Sequence, residues 1–166
     1  MTLYRTLDCI FGSLMQAIPE KLRASSGGMQ GGSLSGRREG SGGAYVYPEL
    51  FAGGMGARPG MDGLSGVHTH MTNSMNTPVE AIELAYPVRI ERYSLRANSG
   101  GAGRWRGGDG IKRDIRFLVP AEVTVLADRR RFGPYGLGGG ESGRPGRTRV
   151  RRAGGRVENL PSKCTI

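Results

Sequence analysis

The sequence has few of the residues that build disulfide frameworks, zinc knuckles or membrane spans. Its 166 residues include 2 cysteines and 2 histidines. Cys9 and Cys164 lie near opposite ends, so they form neither a disulfide framework nor a metal knuckle, and Cys9 is predicted to pack within an apolar helix. No apolar run approaches the roughly 20 residues that a membrane span needs. No signal peptide is recognisable, and we therefore expect a reducing, soluble, cytoplasmic setting.

Glycine is abundant, and charge is unevenly distributed. The chain has 30 Gly and 9 Pro, but patterned apolar segments between them favour long ordered loops around a modest core. Residues 1–85 carry 6 basic and 7 acidic side chains, whereas residues 86–166 carry 18 and 7. The arginines of 104–106 and 129–131 could bind single-stranded nucleic acid. Equally, they could fix loops or cover a subunit interface, and composition alone leaves both interpretations open.

Hydrophobic periodicity predicts an α+β fold that is strand-rich in its second half, with two or three short helices and long glycine-rich loops. Residues 1–24 are predicted as an amphipathic helical segment, with the helix over 2–18 and its end at Pro19. Its apolar stripe is predicted to lie in the core or at a subunit contact. Residues 25–43 are predicted as a Gly/Ser-rich loop or linker, and residues 44–166 as the α+β core. Strands are predicted at 44–51, 88–95 (with a bulge near Arg92), 112–119, 122–127 and 148–152, with a last extended piece at 160–166. The strands 112–119 and 122–127 are predicted to pair.

The segment 53–80 has the highest density of residue types found at functional sites. In a strand, His68 and His70 would share a face and could bind one metal ion. No third ligand stands at a diagnostic spacing, so two hydrogen-bonded loop histidines remain an alternative. Asn73 and Asn76 follow, and asparagine amides either orient a substrate carbonyl or hold a turn.

The same segment ends in a helix-start signature, Thr77-Pro78-Val79-Glu80. Thr77 is predicted as the cap, with Glu80 reaching back to it. The helix must stop by Pro87. The polar run before it therefore leads into a helix N-terminus, which favours an anion.

Several stretches resemble one family when they are taken together. They are GGMGARPGMDGLSGVHTHMTNSMNTPVEAIE at 53–83, YPVRIERYSLRANSGGAGRWRGGDGIKRDIRF at 86–117, LADRRRFGPYGLGGG at 126–140 and LPSKCTI at 160–166. This set resembles the hydantoinase B/oxoprolinase family, the metal-containing subunits or domains of ATP-dependent cyclic-amide hydrolases. The family also includes related subunits of acetone and acetophenone carboxylases. The resemblance extends over essentially the whole chain, 1–166.

The resemblance implies that the chain is part of a hydantoinase or 5-oxoprolinase type of enzyme. A hydantoinase A-type partner subunit would use ATP to phosphorylate a small cyclic amide, and this chain would help the metal-bearing half to hydrolyse it. The implied cofactor is a divalent metal ion (Zn, Fe or Mn). The residues implied to line the catalytic site are His68, His70, Asn73 and Asn76, of which His68 and His70 could be metal ligands. Arg129 and Arg130 are expected to bind substrate or phosphate.

Family members are much longer, and this chain resembles only their C-terminal portion. We therefore expect a truncated piece of a hetero-oligomeric enzyme that is inactive without the N-terminal part of the B-type subunit. A ketone carboxylase subunit is the alternative activity. A non-catalytic basic module for RNA or acidic partners is the alternative of another class, and it is disfavoured because the arginine loops match fixed parts of an enzyme family.

Overall fold

The computed structural model describes residues 2–28, 30–40 and 43–166, and it confirms the α+β prediction. Its elements in chain order are α1 (Thr2–Leu14), a 3-10 helix (Pro19–Lys21), β1 (Gln30–Arg37), β2 (Ala44–Phe51), α2 (Val79–Ala85), β3 (Val88–Leu95), β4 (Ile111–Phe117), β5 (Ala121–Ala127), β6 (Thr148–Arg151), β7 (Val157–Leu160) and β8 (Lys163–Thr165). Within these ranges, no helix is long and apolar enough to cross a membrane.

Strand β1 corrects the prediction that residues 25–43 are a loop or linker. It lies between β2 and β5 in a four-stranded antiparallel sheet of order β2-β1-β5-β8. Residues 29, 41 and 42 of the predicted loop lie outside the described residues. A Cβ added at Gly32 would overlap the carbonyl oxygen of Thr124 on β5. Glycine in β1 therefore allows close approach of backbones rather than flexibility.

Strand β2 has the predicted bounds, and it lies at the sheet edge, where Pro48 is tolerated. The predicted pairing of the next strands is wrong, because β4 pairs with β3 and not with β5. Alternation shows which face of a strand is apolar, but it does not identify the neighbouring strand. The predicted bulge in β3 is confirmed by a register shift between Ile90 and Arg92. Strands β6 and β7 form a separate antiparallel pair.

The hydrophobic core lies between the four-stranded sheet, α2 and the β3–β4 pair. Its centre is formed by Leu34, Tyr47, Ile82 and Val88, of which Ile82 is fully buried. Helix α2 stops before Pro87, as predicted, but it has only 7 residues and begins after Pro78 with no side-chain cap. The predicted capping box does not form, because Pro78 itself occupies the cap position in an extended conformation.

Helix α1 does not bury its whole apolar stripe in the core of this chain, and the predicted alternative of a subunit contact stays a prediction. Tyr4 and Asp8 are buried, whereas Leu3 and Ile10 of the apolar stripe remain 47% and 46% exposed. Cys9 is also exposed, which corrects the prediction that it packs inside. The physical reason is that Asp8 finds buried cationic partners, and these contacts fix the rotation of the helix.

Candidate functional site

A buried carboxylate on α1 is the centre of a polar cluster. Asp8 is 4% exposed. Its Oδ2 accepts a hydrogen bond from Arg129 Nη2 at 2.6 Å and lies 3.5 Å from Arg5 Nη1. Its Oδ1 lies 3.3 Å from His70 Nε2, and the Ser25 hydroxyl donates to Oδ2 at 3.3 Å. A charge this far from water is stable only when such partners surround it.

His70 is held as a neutral imidazole with both ring nitrogens hydrogen-bonded. Arg23 Nη2 lies 2.9 Å from Nδ1, and because a guanidinium can only donate, Nδ1 is the acceptor. The ring proton is therefore on Nε2, which lies 3.3 Å from Asp8 Oδ1 and 3.2 Å from Ser26 Oγ. Burial, and then the charge of Arg23, lower the pKa of His70. The ring thus ties α1 to the loop before α2, and it has no free nitrogen.

Backbone strain is concentrated at the same carboxylate. His70 and Arg129 both lie in the left-handed region, with φ values of 56° and 54°. Such a conformation in a non-glycine residue costs on the order of 1–3 kcal/mol and persists where surrounding contacts fix it. The Arg129 guanidinium also packs over the Tyr135 ring, and the Tyr135 hydroxyl donates to the Asp8 carbonyl oxygen at 2.7 Å. Arg129 is therefore occupied by internal contacts.

His68 differs from His70, because one of its nitrogens is buried without a hydrogen-bond partner. The Thr72 hydroxyl oxygen lies 3.2 Å from His68 Nδ1, and the same hydroxyl donates to the Thr69 carbonyl oxygen over 3.4 Å. Among the described residues, His68 Nε2 is buried and has no hydrogen-bond partner. Burial lowers the pKa of His68, so the ring is neutral at pH 7. A buried imidazole nitrogen with no hydrogen-bond partner is a candidate base or metal ligand.

A small cavity of about 10 Å³ is bounded by Tyr4, Gly28, His68 and Thr72, among other residues. This is room for about one water molecule. The hydroxyl of Tyr4 is hydrogen-bonded to Thr72, so the cavity wall belongs to the same network that contacts His68 Nδ1.

The other predicted site residues separate into an exposed and a structural group. Asn73 is exposed. Asn76 joins three segments: its Nδ2 donates to the Leu50 carbonyl oxygen at 2.8 Å, and its Oδ1 accepts from Tyr93 at 2.6 Å. Arg130 lies apart from the Asp8 cluster, and its Nη2 donates to Gln30 at 3.0 Å. Of the predicted site residues, the structure thus brings His70 and Arg129 together at Asp8, and His68 stands two residues before His70.

Sequence reasoning missed Asp8, Arg23 and Ser26. Their signals were weak, because an acidic residue inside an apolar helix pattern and two serines before a glycine run have many explanations. Thr69 is also buried and donates to Ser26 Oγ at 3.1 Å. A buried acid on an otherwise apolar helix face is the one clue that could have identified the cluster.

The described residues do not by themselves compose a metal centre. They contain no group of three or more His, Cys, Asp or Glu side chains that could hold a metal ion. Both nitrogens of His70 are hydrogen-bonded, and the Asp8 oxygens are shared with arginines. His68 Nε2 is the one imidazole nitrogen in this part of the chain with no partner. The expected Zn, Fe or Mn therefore stays a prediction that needs further ligands.

The arginine and tryptophan loop at 104–106 is tied back onto the chain. Arg106 Nη2 lies 3.0 Å from Asp109 Oδ1, and its backbone N–H donates to Asp62 at 2.7 Å. The Arg104 guanidinium packs over Trp105. These contacts favour the interpretation that the arginines fix loops.

Comparison with known proteins gives a consistent result along the whole chain. The sequence model of the hydantoinase B/oxoprolinase family matches residues 1–166. A protein of Pseudomonas sp. that is named as the B-type subunit of a D-/L-hydantoinase is 35% identical over 157 residues, which are 94% of this chain and 26% of that protein. A 5-oxoprolinase of Pestalotiopsis fici is 44% identical over 106 residues, which are 64% of this chain and 8% of that protein.

A solved structure is also similar. The crystal structure of an ATP-dependent caprolactamase from Pseudomonas jessenii superposes with a TM-score of 0.76 at 30% identity, over 92% of this chain and 28% of that chain. The chain thus spans less than a third of the length of each of these three proteins. The names of all three describe proteins that act on cyclic amides.

Proposed function

This chain belongs to the hydantoinase B/oxoprolinase family, and from that membership we propose that it is part of an ATP-dependent enzyme that opens a lactam or hydantoin ring. The observation that supports the proposal best is the match to the caprolactamase structure, which combines likeness of fold with 30% identity. The complete enzyme would include the rest of a B-type subunit and an ATP-binding A-type subunit, since one relative is named as the B-type component of a hydantoinase.

The chemical role that we assign to this chain rests on His68. After ATP transfers its terminal phosphoryl group to the amide carbonyl oxygen and ADP is released, water adds to the carbonyl carbon. The ring C–N bond then breaks, the nitrogen takes up the proton, and an acyl phosphate is left, which a second water hydrolyses to a carboxylate and inorganic phosphate. A neutral imidazole with an unprotonated nitrogen can accept the proton of the first water. We assign this form to His68, with the ring proton on Nδ1 facing Thr72, because Nε2 is buried with no hydrogen-bond partner. The cavity of about 10 Å³ beside His68 has the size of one water molecule.

The Asp8 cluster acts as a positioning device in this proposal. His70 stands two residues after His68, and its ring is fixed by Asp8 at 3.3 Å and by Arg23 at 2.9 Å. A rigid His70 holds the backbone that carries His68. In this proposal His70, which was expected to line the catalytic site, and Arg129, which was expected to bind substrate or phosphate, act as positioning residues.

The test combines this chain with the rest of a B-type subunit and an A-type subunit, and it measures ring opening of 5-oxoproline, hydantoin and caprolactam with and without ATP. We expect ATP-dependent opening of at least one ring, and a loss of about 10²-fold or more in kcat for His68→Gln. Glu80→Gln, an exposed change near the same loop, serves as the matched control and should keep full activity. The enzymatic proposal would be refuted if none of the three rings were opened in an ATP-dependent way. Full activity of His68→Gln would refute only the role of His68.

A further inference from the structure

Four arginines gather around one short backbone segment, Arg144 to Arg147. The segment is fixed by the Arg144 N–H, which donates to the Ser99 carbonyl oxygen at 2.8 Å. Arg96 Nη1 donates to the carbonyl oxygen of Pro145 at 2.8 Å. The Arg130 guanidinium lies against Gly146, since a Cβ added there would be 3.0 Å from Arg130 Nη1. The side chains of this arginine cluster are Arg96, Arg130, Arg144 and Arg147, of which Arg144 and Arg147 are exposed.

The arginine cluster has no acidic partner. Among the ion pairs of the described residues, none joins Arg96, Arg130, Arg144 or Arg147 to Asp or Glu. Arg130 Nη2 meets only the neutral Gln30, and its Nε is buried with no hydrogen-bond partner. This is the opposite of Arg129, the next residue back, whose charge is matched by Asp8 at 2.6 Å.

The charges of the cluster act on one another. Burial, followed by the charges of Arg144 and Arg147, lowers the pKa of Arg96. Burial, followed by the charge of Arg96, lowers the pKa of Arg130. Like charges that are close together and partly removed from water cost free energy, and a bound anion removes that cost.

We propose that the arginine cluster is a binding site for a phosphate-class oxyanion, either a free phosphate or the phosphoryl group of a larger ligand. Guanidinium groups match phosphate oxygens in a bidentate geometry. Four of them around one backbone segment suit an anion with three or more acceptor oxygens better than a carboxylate with two. The site involves Arg130 as expected from the sequence, but with Arg96, Arg144 and Arg147 in place of Arg129. The inference goes beyond the ring-opening activity and does not depend on it.

The test is calorimetric titration of the full 166-residue chain with inorganic phosphate at constant ionic strength, with acetate and ATP as parallel ligands. We expect saturable binding of phosphate that Arg130→Gln and Arg147→Gln each weaken about tenfold or more, since each removes a charge-assisted contact. Arg89→Gln is the matched control, because it removes the same unit of charge at an exposed position of β3. Arg147 is itself exposed, so Arg147→Gln keeps the test decisive if Arg130→Gln fails to fold.

The ligand series separates the sources of the anion. Phosphate binding without ATP binding assigns the site to a free phosphate or a small phosphorylated ligand. ATP binding that Arg147→Gln weakens in the same way assigns it to a nucleotide phosphate. The proposal is overturned if neither ligand saturates, if acetate binds as tightly as phosphate, or if Arg89→Gln weakens binding as much as Arg147→Gln.

Discussion

Replacing Asp8 with asparagine tests whether the polar cluster holds the fold together. The substitution keeps the shape of the side chain and removes its charge. Arg129 would then be left as a buried cation whose one charged partner at 2.6 Å is gone, and its Nε already has no hydrogen-bond partner. Asparagine has one acceptor oxygen in place of two, so either His70 Nε2, at 3.3 Å from Asp8 Oδ1, or Arg129 then faces an amide NH2 group. Breaking a buried ion pair from one side costs about 3–5 kcal/mol.

That cost is large against the total stability of a domain, which is about 5–15 kcal/mol. At this chain length, 1 kcal/mol corresponds to about 2–4 °C in Tm, so the expected fall is roughly 6–20 °C. Urea unfolding at pH 7, followed by far-ultraviolet circular dichroism, gives the free energy of unfolding. Asp114→Asn is the matched control. Asp114 also pairs with an arginine, Arg92 at 3.3 Å, but its side chain is 59% exposed. An exposed pair is worth about 0–1 kcal/mol.

A double substitution separates the ion pair from general damage to the site. In Asp8→Leu with Arg129→Met, no buried charge is left unpaired, so the double variant should be more stable than Asp8→Leu alone. A coupling free energy of about 1 kcal/mol or more is expected for residues in direct contact. Asp114→Asn should change the free energy of unfolding by no more than about 1 kcal/mol. The reasoning fails if Asp8→Asn changes it equally little, or if the effects of Asp8→Leu and Arg129→Met on it are simply additive.

Three further outcomes follow from the structure. Gly32→Ala should destabilise the chain by about 1–3 kcal/mol in urea unfolding, because its Cβ overlaps a carbonyl oxygen, whereas Gly154→Ala, with open space around it, should be neutral. Asn76→Ala should cost about 1–3 kcal/mol in the same assay, because it removes the amide that donates to the Leu50 carbonyl oxygen and to the buried Glu49 carboxylate. The exposed Asn73→Ala should stay within about 0.5 kcal/mol, and equal losses would contradict this. The pKa of His70 is lowered in the folded chain, so on acidification the unfolded chain takes up a proton on this ring before the folded chain does. The free energy of unfolding should therefore be at its full value above pH ~6.5 and decrease as the pH drops below that value. His70→Gln should make this decrease with pH smaller.

The sequence predicted those parts of the fold that depend on local pattern. Strand β2 has its predicted bounds, and Pro48 marks it as an edge strand. The bulge between Ile90 and Arg92 was visible because the apolar alternation changes phase there. Pairing was not predictable, since β4 and β5 are neighbours in the chain but belong to different sheets. Which strands pair is decided by long-range packing, and alternation does not encode it.

The candidate site was predictable in part. His68 and His70 were identified from residue type, but their different roles depend on partners elsewhere in the chain. Arg23 fixes one tautomer of His70 from 47 positions away, and Asp8 contacts it from 62 positions away. A single sequence carries no local signal for contacts at such separations, and so the paired histidines were indistinguishable until the fold placed their neighbours.

The glycine content has a structural explanation that composition alone did not provide. The loops pack backbone against backbone: a Cβ at Gly54 would overlap the Gly108 carbonyl oxygen, and one at Gly108 would overlap that of Leu64. Hydrogen bonds join the backbones where they come this close. For example, the Gly108 N–H donates to the Met55 carbonyl oxygen at 2.9 Å. Buried peptide groups must be paired in this way, and only a residue without a side chain allows the backbones to come this close. Much of the interior is therefore peptide rather than hydrocarbon, which is why a chain with a low apolar content can hold His68 and the Asp8 cluster in fixed positions.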